Sequence, residues 1–425
     1  MNRAFSYRYR VLVLLFFLTL ITYLDRISIS LVGVRIKSEF NLTNEQFGWV
    51  VAAFSLAYAI FEIPSGVLGD RIGQRAVLIR IVLWWSVFTA LTGITTGLLT
   101  LIIVRFLFGM GEAGAYPNST AVISRWFPVR ETARSLSVLF IGQNAGAAIA
   151  PFIVIPIAVA FGWRAPFFVN GFIGLFWVWI CFLWFRNNPS EMKGVTAEER
   201  LFIEKNRRFS EHKQNFPWKI VLKNKSLYAL VTAMFCSQWA QYFFIAWMPV
   251  YLQEGRHFSE NDIKKIISFF FIAGIIGVLS AGFLSDWLVK RKGLRFGRRF
   301  LGASAMGILA LLFLLSAVTQ HNAIVVISLY VGQLFYSFIP VVAFAVCVDI
   351  GSDRAGTVAG IMNFFGQIGA FFLAIAFGKI ADITHSFSTP LIVIAAVLLA
   401  GGMCWFFVDA SKPIPTTNEQ YQKIF

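Results

Sequence analysis

Arg105-Phe-Leu-Phe-Gly-Met-Gly-Glu112-Ala-Gly-Ala-Tyr-Pro117 lies inside an apolar run long enough to cross a bilayer, yet it carries two opposite charges. Each such charge costs about 2.5 to 3.5 kcal/mol at a helix centre, so ionisable residues at that depth face a bundle interior or a wet cavity and mark function. Seven residues at about 100° each return almost to the starting direction, which puts Arg105 and Glu112 on one face, about 10 Å apart along the axis. A second pair, Asp25 and Arg26 in Thr22-Tyr-Leu-Asp-Arg-Ile-Ser28, sits in the first apolar run. The four formal charges cancel. Protonation of either acid upsets that balance and creates an anion site. The structural alternative is an ion-pair network that only ties spans one and four together. It is the weaker reading, because hydrophobic packing is often as stable as a buried pair.

Composition agrees with a membrane chain. Of 425 residues, 58% are hydrophobic and 14% charged, with a mean hydropathy of +0.71, whereas soluble domains carry roughly 25% charged residues. The formal charge of +16 resides in loops rather than beside exposed aromatics, so it reports topology and not nucleic-acid binding. Cys181, Cys236, Cys347 and Cys404 lie in apolar runs without paired spacing, which indicates neither a disulfide frame nor a zinc site and leaves packing or lipid-facing roles. His212, His257, His321 and His385 all fall in loops, and no nucleophile or metal motif appears, so an enzyme is not expected. No cofactor is indicated. Residues 11–33 form a full span with charges in it and are read as retained rather than as a signal peptide.

Windows of about 20 apolar residues place spans near 11–33, 46–68, 76–96, 98–117, 134–158 and 165–185, then near 226–252, 263–284, 298–319, 323–347, 355–378 and 388–409. The expected architecture is all-helical, with twelve transmembrane helices in two pseudo-symmetric six-helix bundles, 1–185 and 226–425. A polar loop, 186–225, joins them and carries a short surface helix within Thr196–Lys213. Basic loops share one side: Arg3, Arg8 and Arg10, then Arg71 and Arg75, then Arg125, Arg130 and Arg134, the central loop, and the run Lys290–Arg299. By the positive-inside rule both termini are cytoplasmic. Gly66-Val-Leu-Gly-Asp70-Arg71-Ile-Gly73-Gln-Arg75 after span two is echoed by Gly282-Phe-Leu-Ser-Asp286 after span eight. Such a duplication places substrate between the halves and permits alternating access by rocking.

Twelve spans, the central loop and the Gly66–Arg75 motif together resemble the major facilitator superfamily. Tyr23-Leu-Asp25-Arg26, Tyr58 before Phe-Glu-Ile-Pro-Ser-Gly, the Arg105–Pro117 stretch and Gly142-Gln143-Asn-Ala-Gly resemble its anion:cation symporter family. That family includes bacterial proton symporters for galactonate, glucarate and hexuronates. The resemblance implies that Arg26 and Arg105 bind substrate, that Asp25 and Glu112 carry protons, and that Tyr58 and Gln143 are polar cavity residues. Vesicular glutamate members carry a His where Tyr58 stands and an Arg in span seven that has no counterpart among Cys236–Tyr242. Both departures weigh against a vesicular-type substrate.

The remaining motifs are read by their chemistry. Asn363 and Gln367, four apart on span eleven, share a face and are candidates for reading substrate hydroxyls, with helix bridging as the equal alternative. Glu62 is a gate or interhelix pair within reach of Arg80 or Arg134. Gly66, Asp70, Arg71, Gly73 and Arg75, with Asp286 in the second half, tune conformation, Asp70 capping a neighbouring helix. Gly109, Gly111, Gly114, Gly142 and Gly146 let helices approach closely, while Pro117, Pro151, Pro249 and Pro340 interrupt the helix ladder. The abundant Phe is read as mostly lipid-facing. Trp239, Tyr242 and Trp247 are candidates for covering a sugar-acid carbon chain, with interfacial anchoring the alternative for Trp247. The expected function is proton-coupled uptake of a small organic anion, a sugar acid such as galactonate, glucarate or a hexuronate, by a monomer in the bilayer of a bacterial inner membrane. Sodium coupling or exchange is the alternative within transport, and a non-transporting ligand sensor the alternative outside it.

Overall fold

The computed structural model describes residues 6–192, 194–206, 224–351 and 355–412. Among the described residues, twelve helices are long and apolar enough to cross a membrane: Tyr7–Leu31, Asn44–Ile72, Gln74–Thr92, Leu98–Trp126, Arg134–Phe161 and Ala165–Trp184, then Lys225–Gly255, Glu260–Lys292, Leu294–Val318, Asn322–Gly351, Ala355–Thr384 and Thr389–Phe407. We number them spans one to twelve. They match the expected set, and several run further than the apolar windows because polar turns continue the helix beyond the hydrocarbon. The helix of the central loop is observed as Ala197–Asn206, and residues 207–213 of that expectation lie outside the described residues.

Local chemistry sets the ends. Thr43 and Gln46 form a reciprocal capping box at the start of span two, and the Asn224 side chain accepts from the Leu227 amide at the start of span seven, each cap contributing about 1 kcal/mol. The turns between spans two and three and between spans eight and nine pass through Gly73 and Gly293, at φ 89° and 83°. Only glycine takes that region without strain. The echo seen in the sequence thus extends to the same backbone device at the same place in each half.

Prolines break helices where the ring meets the carbonyl four residues earlier. Span four is interrupted between Glu112 and Ala115, four residues before Pro117. Span ten is interrupted at Ser337, ahead of Pro340. Span seven widens into a π-helix over Phe243–Trp247, around the carbonyl that Pro249 displaces. Pro151, expected to act alike, lies in the unbroken helix Val129–Phe161.

By compactness the chain divides into two units, Met1–Glu211 with Met248–Ile272, and His212–Trp247 with Ala273–Phe425. In the first unit spans one and five, two and four, and three and six pack pairwise. Spans one and five cross closely: a Cβ on Gly146 would lie 2.0 Å from the Leu20 carbonyl oxygen, and one on Gly142 2.7 Å from that of Phe16. In the second unit spans seven and eleven cross the same way, and a Cβ on Gly369 would lie 2.3 Å from the Phe235 carbonyl oxygen. Met248–Ile272 is held in the first unit partly by ion pairs, Arg35 to Glu260 at 2.7 Å and Lys37 to Glu254 at 2.6 Å.

Candidate functional site

Asp25 and Arg26 are 2% and 8% exposed in span one. Consecutive helical positions point about 100° apart, and the two side chains meet different neighbours. Arg26 turns to spans two and four, where its Nε donates to Glu112 Oε1. Its guanidinium lies over the rings of Tyr58 at 4.7 Å, Phe54 at 5.0 Å and Tyr23 at 5.1 Å. Arg105 stacks on Phe108 at 4.4 Å and on the same Phe54 at 5.4 Å. Desolvated cation–π contacts contribute about 2 kcal/mol each, so rings supply part of what water would give these cations.

Glu112 is fully buried, and its Oε2 has no hydrogen-bond partner among the described residues. Asp25 turns the other way, to the Asn170 amide on span six and the Trp85 indole on span three, with Arg105 and Glu112 within electrostatic reach. Neither of its carboxylate oxygens accepts a hydrogen bond of full geometry among the described residues. The expected cluster of two acids and two arginines is therefore present in one bundle, but it is not symmetric. Glu112 accepts directly from Arg26, whereas Asp25, about 100° further round span one, has Asn170 and Trp85 beside it and Arg105 and Glu112 within electrostatic reach.

Tyr58 is buried beneath Arg26 as expected. Glu62, expected near Arg80 or Arg134, is buried and shares its surroundings with the phenols of Tyr58 and Tyr116, while both arginines are exposed. Gln143 is half-buried on span five, and the adjacent Asn144 donates to the Phe140 carbonyl of its own helix. Gly66 lies against Pro117. In the last turn of span two Asp70 accepts at 3.5 Å from the side chain of Gln74, the first residue of span three, rather than capping that helix through a backbone N–H. Arg71 and Asp286 are exposed. Arg75 binds the end of span six, its amide donating to Asn187 Oδ1 at 2.8 Å and its guanidinium to the Phe182 carbonyl at 2.6 Å. Gly73 packs against that same Asn187.

In the second unit Gln367 accepts from the Tyr242 hydroxyl at 3.3 Å, and Asn363 is half-buried one turn earlier on span eleven. Tyr336 donates to Gln241 at 2.7 Å and to Gln238 at 3.5 Å, a set of amides and phenols suited to hydroxyl ligands. Trp247 is neither an interfacial anchor nor open to a ligand. It is fully buried, donates to the Ala374 carbonyl at 3.2 Å and stacks on Phe377 at 4.8 Å. Cys181, Cys236 and Cys347 are buried packing residues, and Cys404 is half-buried. Outside the spans, hydrogen bonding from the Trp163 indole, with Arg164 beside it, holds the Glu39 carboxyl below the ordinary glutamate range.

Sequence reading missed Tyr23, Phe54, Phe108 and Tyr116 around the charges, and Asn170, Gln238, Gln241 and Tyr336. A Phe under an arginine carries no mark that separates it from a lipid-facing Phe. Asn170, Gln238 and Gln241 were findable, since polar groups in apolar spans require partners.

Residues 15–374 match the model of the Major Facilitator Superfamily. The chain is 31% identical over 428 residues to the probable sulfoacetate transporter SauU of Cupriavidus necator, covering 99% of this chain and 98% of that protein. It is 30% identical to the hexuronate transporter of Bacillus subtilis, covering 93% and 92%, and 28% identical to the D-galactonate transporter of Escherichia coli O6:H1, covering 94% and 95%. Among solved structures it is similar to a bacterial homologue of the human lysosomal transporter Spinster in an inward-facing, unoccupied conformation. That match has a TM-score of 0.76 at 16% identity, covers 99% and 98% of the two chains, and bears on the fold alone.

Proposed function

The chain belongs to the major facilitator superfamily, and from that premise we propose that it is a proton-coupled symporter of a small organic anion, a sugar acid, working by alternating access in a bacterial inner membrane with both termini cytoplasmic. The observation that carries this reading is the buried bond between Arg26 and Glu112, with Arg105 stacked on the same Phe54 ring. A guanidinium keeps its charge and matches a carboxylate in a two-pronged fork. While Glu112 is ionised it competes with the substrate for Arg26. Protonating it removes that competitor, gives the site a formal charge of plus one, and lets Arg26 and Arg105 accept the anion. Proton loss restores the internal pair and expels the substrate. Reciprocity requires proton and anion to tighten each other's binding.

Sugar acids are favoured over simple carboxylates by the relatives named for hexuronate and galactonate. The relative named for sulfoacetate gives the competing reading, a short dianion without a polyol chain. Thermal stabilisation across galactonate, glucarate, glucuronate, galacturonate, glutamate and sulfoacetate tests the choice, since a ligand at a hundred times its Kd stabilises by about 2.7 kcal/mol. Stabilisation by one or more sugar acids, greater at lower pH, is expected. Stabilisation by sulfoacetate alone would assign the short dianion instead.

A further inference from the structure

Behind Asp25, on the side of span one away from Arg26, the structure collects buried polar atoms that lack partners. Asn170, Trp85, Ser86 and Thr89 are 0%, 0%, 1% and 2% exposed. Among the described residues, Asn170 Oδ1, Trp85 Nε1, Ser86 Oγ, Thr89 Oγ1 and both Asp25 oxygens have no hydrogen-bond partner. Native proteins rarely strand one such group, and a cluster of them is the setting in which ordered water is held. The placement is specific. A Cβ on Gly174 would lie 2.0 Å from Ser86 Oγ and 3.8 Å from Trp85 Nε1, so a glycine at this point of span six is what lets these two polar atoms lie side by side against it. Thr89 follows Trp85 by one turn on the same face of span three.

Asn170 is the hub. The Ser28 hydroxyl donates to the Leu24 carbonyl at 2.6 Å, so it must accept from the amide NH2 of Asn170, 2.9 Å away. That fixes which way the amide points. Its second N–H is free for Asp25, and its carbonyl oxygen is left facing a missing donor. The Trp85 indole is a donor only. A pocket that mixes an indole N–H with carboxylate, amide and hydroxyl oxygens suits water, which both donates and accepts, better than a cation, which an N–H repels.

We propose that Asn170, Trp85, Ser86 and Thr89 line a hydrated pocket through which Asp25 gains and loses its proton, Asn170 acting as the positioning residue for the carboxylate. The proton arrives on a water oxygen, passes to an Asp25 carboxylate oxygen, and leaves by the same chain, with no change of oxidation state. The charged groups facing Asp25 are Arg105 and Glu112 of span four. Span two brings Tyr58 and Glu62 around Arg26, and Arg26 itself turns away on the other face of span one. The pocket residues of spans three and six are uncharged. Span five, along span one, carries Glu131 and Arg134 near its first turns, and the neighbouring Met248–Val250 is apolar.

The proposal rests on the proton-coupled reading above, and its test separates the two. In proteoliposomes, galactonate uptake driven by an imposed pH gradient and counterflow at equal pH are measured across a pH series for wild type, Trp85→Phe and Asn170→Leu. Asn170→Leu keeps side-chain shape, Trp85→Phe keeps an aromatic ring of smaller size, and both remove polar atoms. With wild type pH-driven, the expected result is retained counterflow together with a displacement of the pH midpoint by about one unit, tenfold in proton concentration, because the N–H groups nearest the carboxylate, which favour its ionised form directly or through water, are removed. Unchanged pH midpoints in both variants overturn the pocket while leaving proton coupling intact. Loss of counterflow at every pH in both assigns these side chains to packing and overturns it as well. A sodium requirement present in wild type and absent from the variants places a cation there and overturns it too. Wild-type uptake indifferent to the pH gradient removes the coupling reading, and the pocket's role with it.

Discussion

Arg26 is held by an acid on one edge and by rings on its faces, and the two kinds of contact have different consequences for the site. The acid is the exchangeable partner, because a substrate carboxylate offers the same bond. The rings are the permanent ones. Phe54, shared by Arg26 and Arg105, fixes both cations without neutralising them, which keeps them available to an anion. Phe54→Leu is therefore expected to destabilise the substrate-free protein by about 2 kcal/mol, from lost cation–π contact and imperfect packing. Phe161→Leu, at a residue 77% exposed, is expected to change stability by less than about 0.5 kcal/mol. Denaturation in detergent compares them, and equal losses would remove the ring-support role. Arg105→Lys keeps the charge but loses the planar fork, so substrate affinity is expected to fall at least about tenfold, or 1.4 kcal/mol. Calorimetric titration reads this directly, and wild-type affinity in the variant would contradict a carboxylate-binding role. The charges themselves were legible in the sequence, since their cost inside a span announces them. Their division of labour was not: Asp25 and Arg26 are neighbours in sequence, and only the placement of spans three, four and six shows which partners each one meets.

Helix contacts turn on glycine carbonyl approaches and proline breaks, both of which were visible as residue types before their partners were known. Gly146→Ala would press a Cβ to 2.0 Å from the Leu20 carbonyl, whereas a Cβ on Gly307 meets nothing within 4 Å. Gly146→Ala is expected to cost about 1 to 3 kcal/mol by overpacking, and Gly307→Ala to be neutral or stabilising by up to about 1 kcal/mol. Yield of folded protein and melting temperature distinguish them. The sequence reads Pro249 as interrupting its helix, and the form the interruption takes is a widened π turn over Phe243–Trp247, with Trp247 packed on Phe377 of span eleven. At the connection after span one, Glu39 has a lowered carboxyl pKa through its bond from Trp163. A depressed pKa contributes stability above the ordinary glutamate value and loses it only as pH falls through the lowered one. Glu39→Gln should therefore leave the pH profile of transport unchanged between about pH 5 and 8. A displaced profile would show that this carboxylate titrates in the working range.

For the molecule as a whole, hydrophobic length located every span, because a bilayer demands about 20 apolar residues whatever their neighbours. The echo of Gly66–Arg75 at Gly282–Asp286 predicts an internal repeat, and the turns after spans two and eight each pass through a positive-φ glycine, Gly73 and Gly293. What length and repeat do not encode is which polar groups meet across helices. That is why Tyr336 with Gln241, and Asn170 with Ser28, emerged only from the fold. The proposed transport cycle joins these levels through one bond, that of Glu112 to Arg26. The most direct test is substrate accumulation under an imposed pH gradient, paired with counterflow at equal pH, in wild type and Glu112→Gln. With the competitor permanently neutral, Arg26 stays available: counterflow should persist, substrate affinity should lose most of its pH dependence, and accumulation driven by the pH gradient should disappear. Accumulation at the wild-type level in Glu112→Gln would contradict proton coupling through this carboxylate.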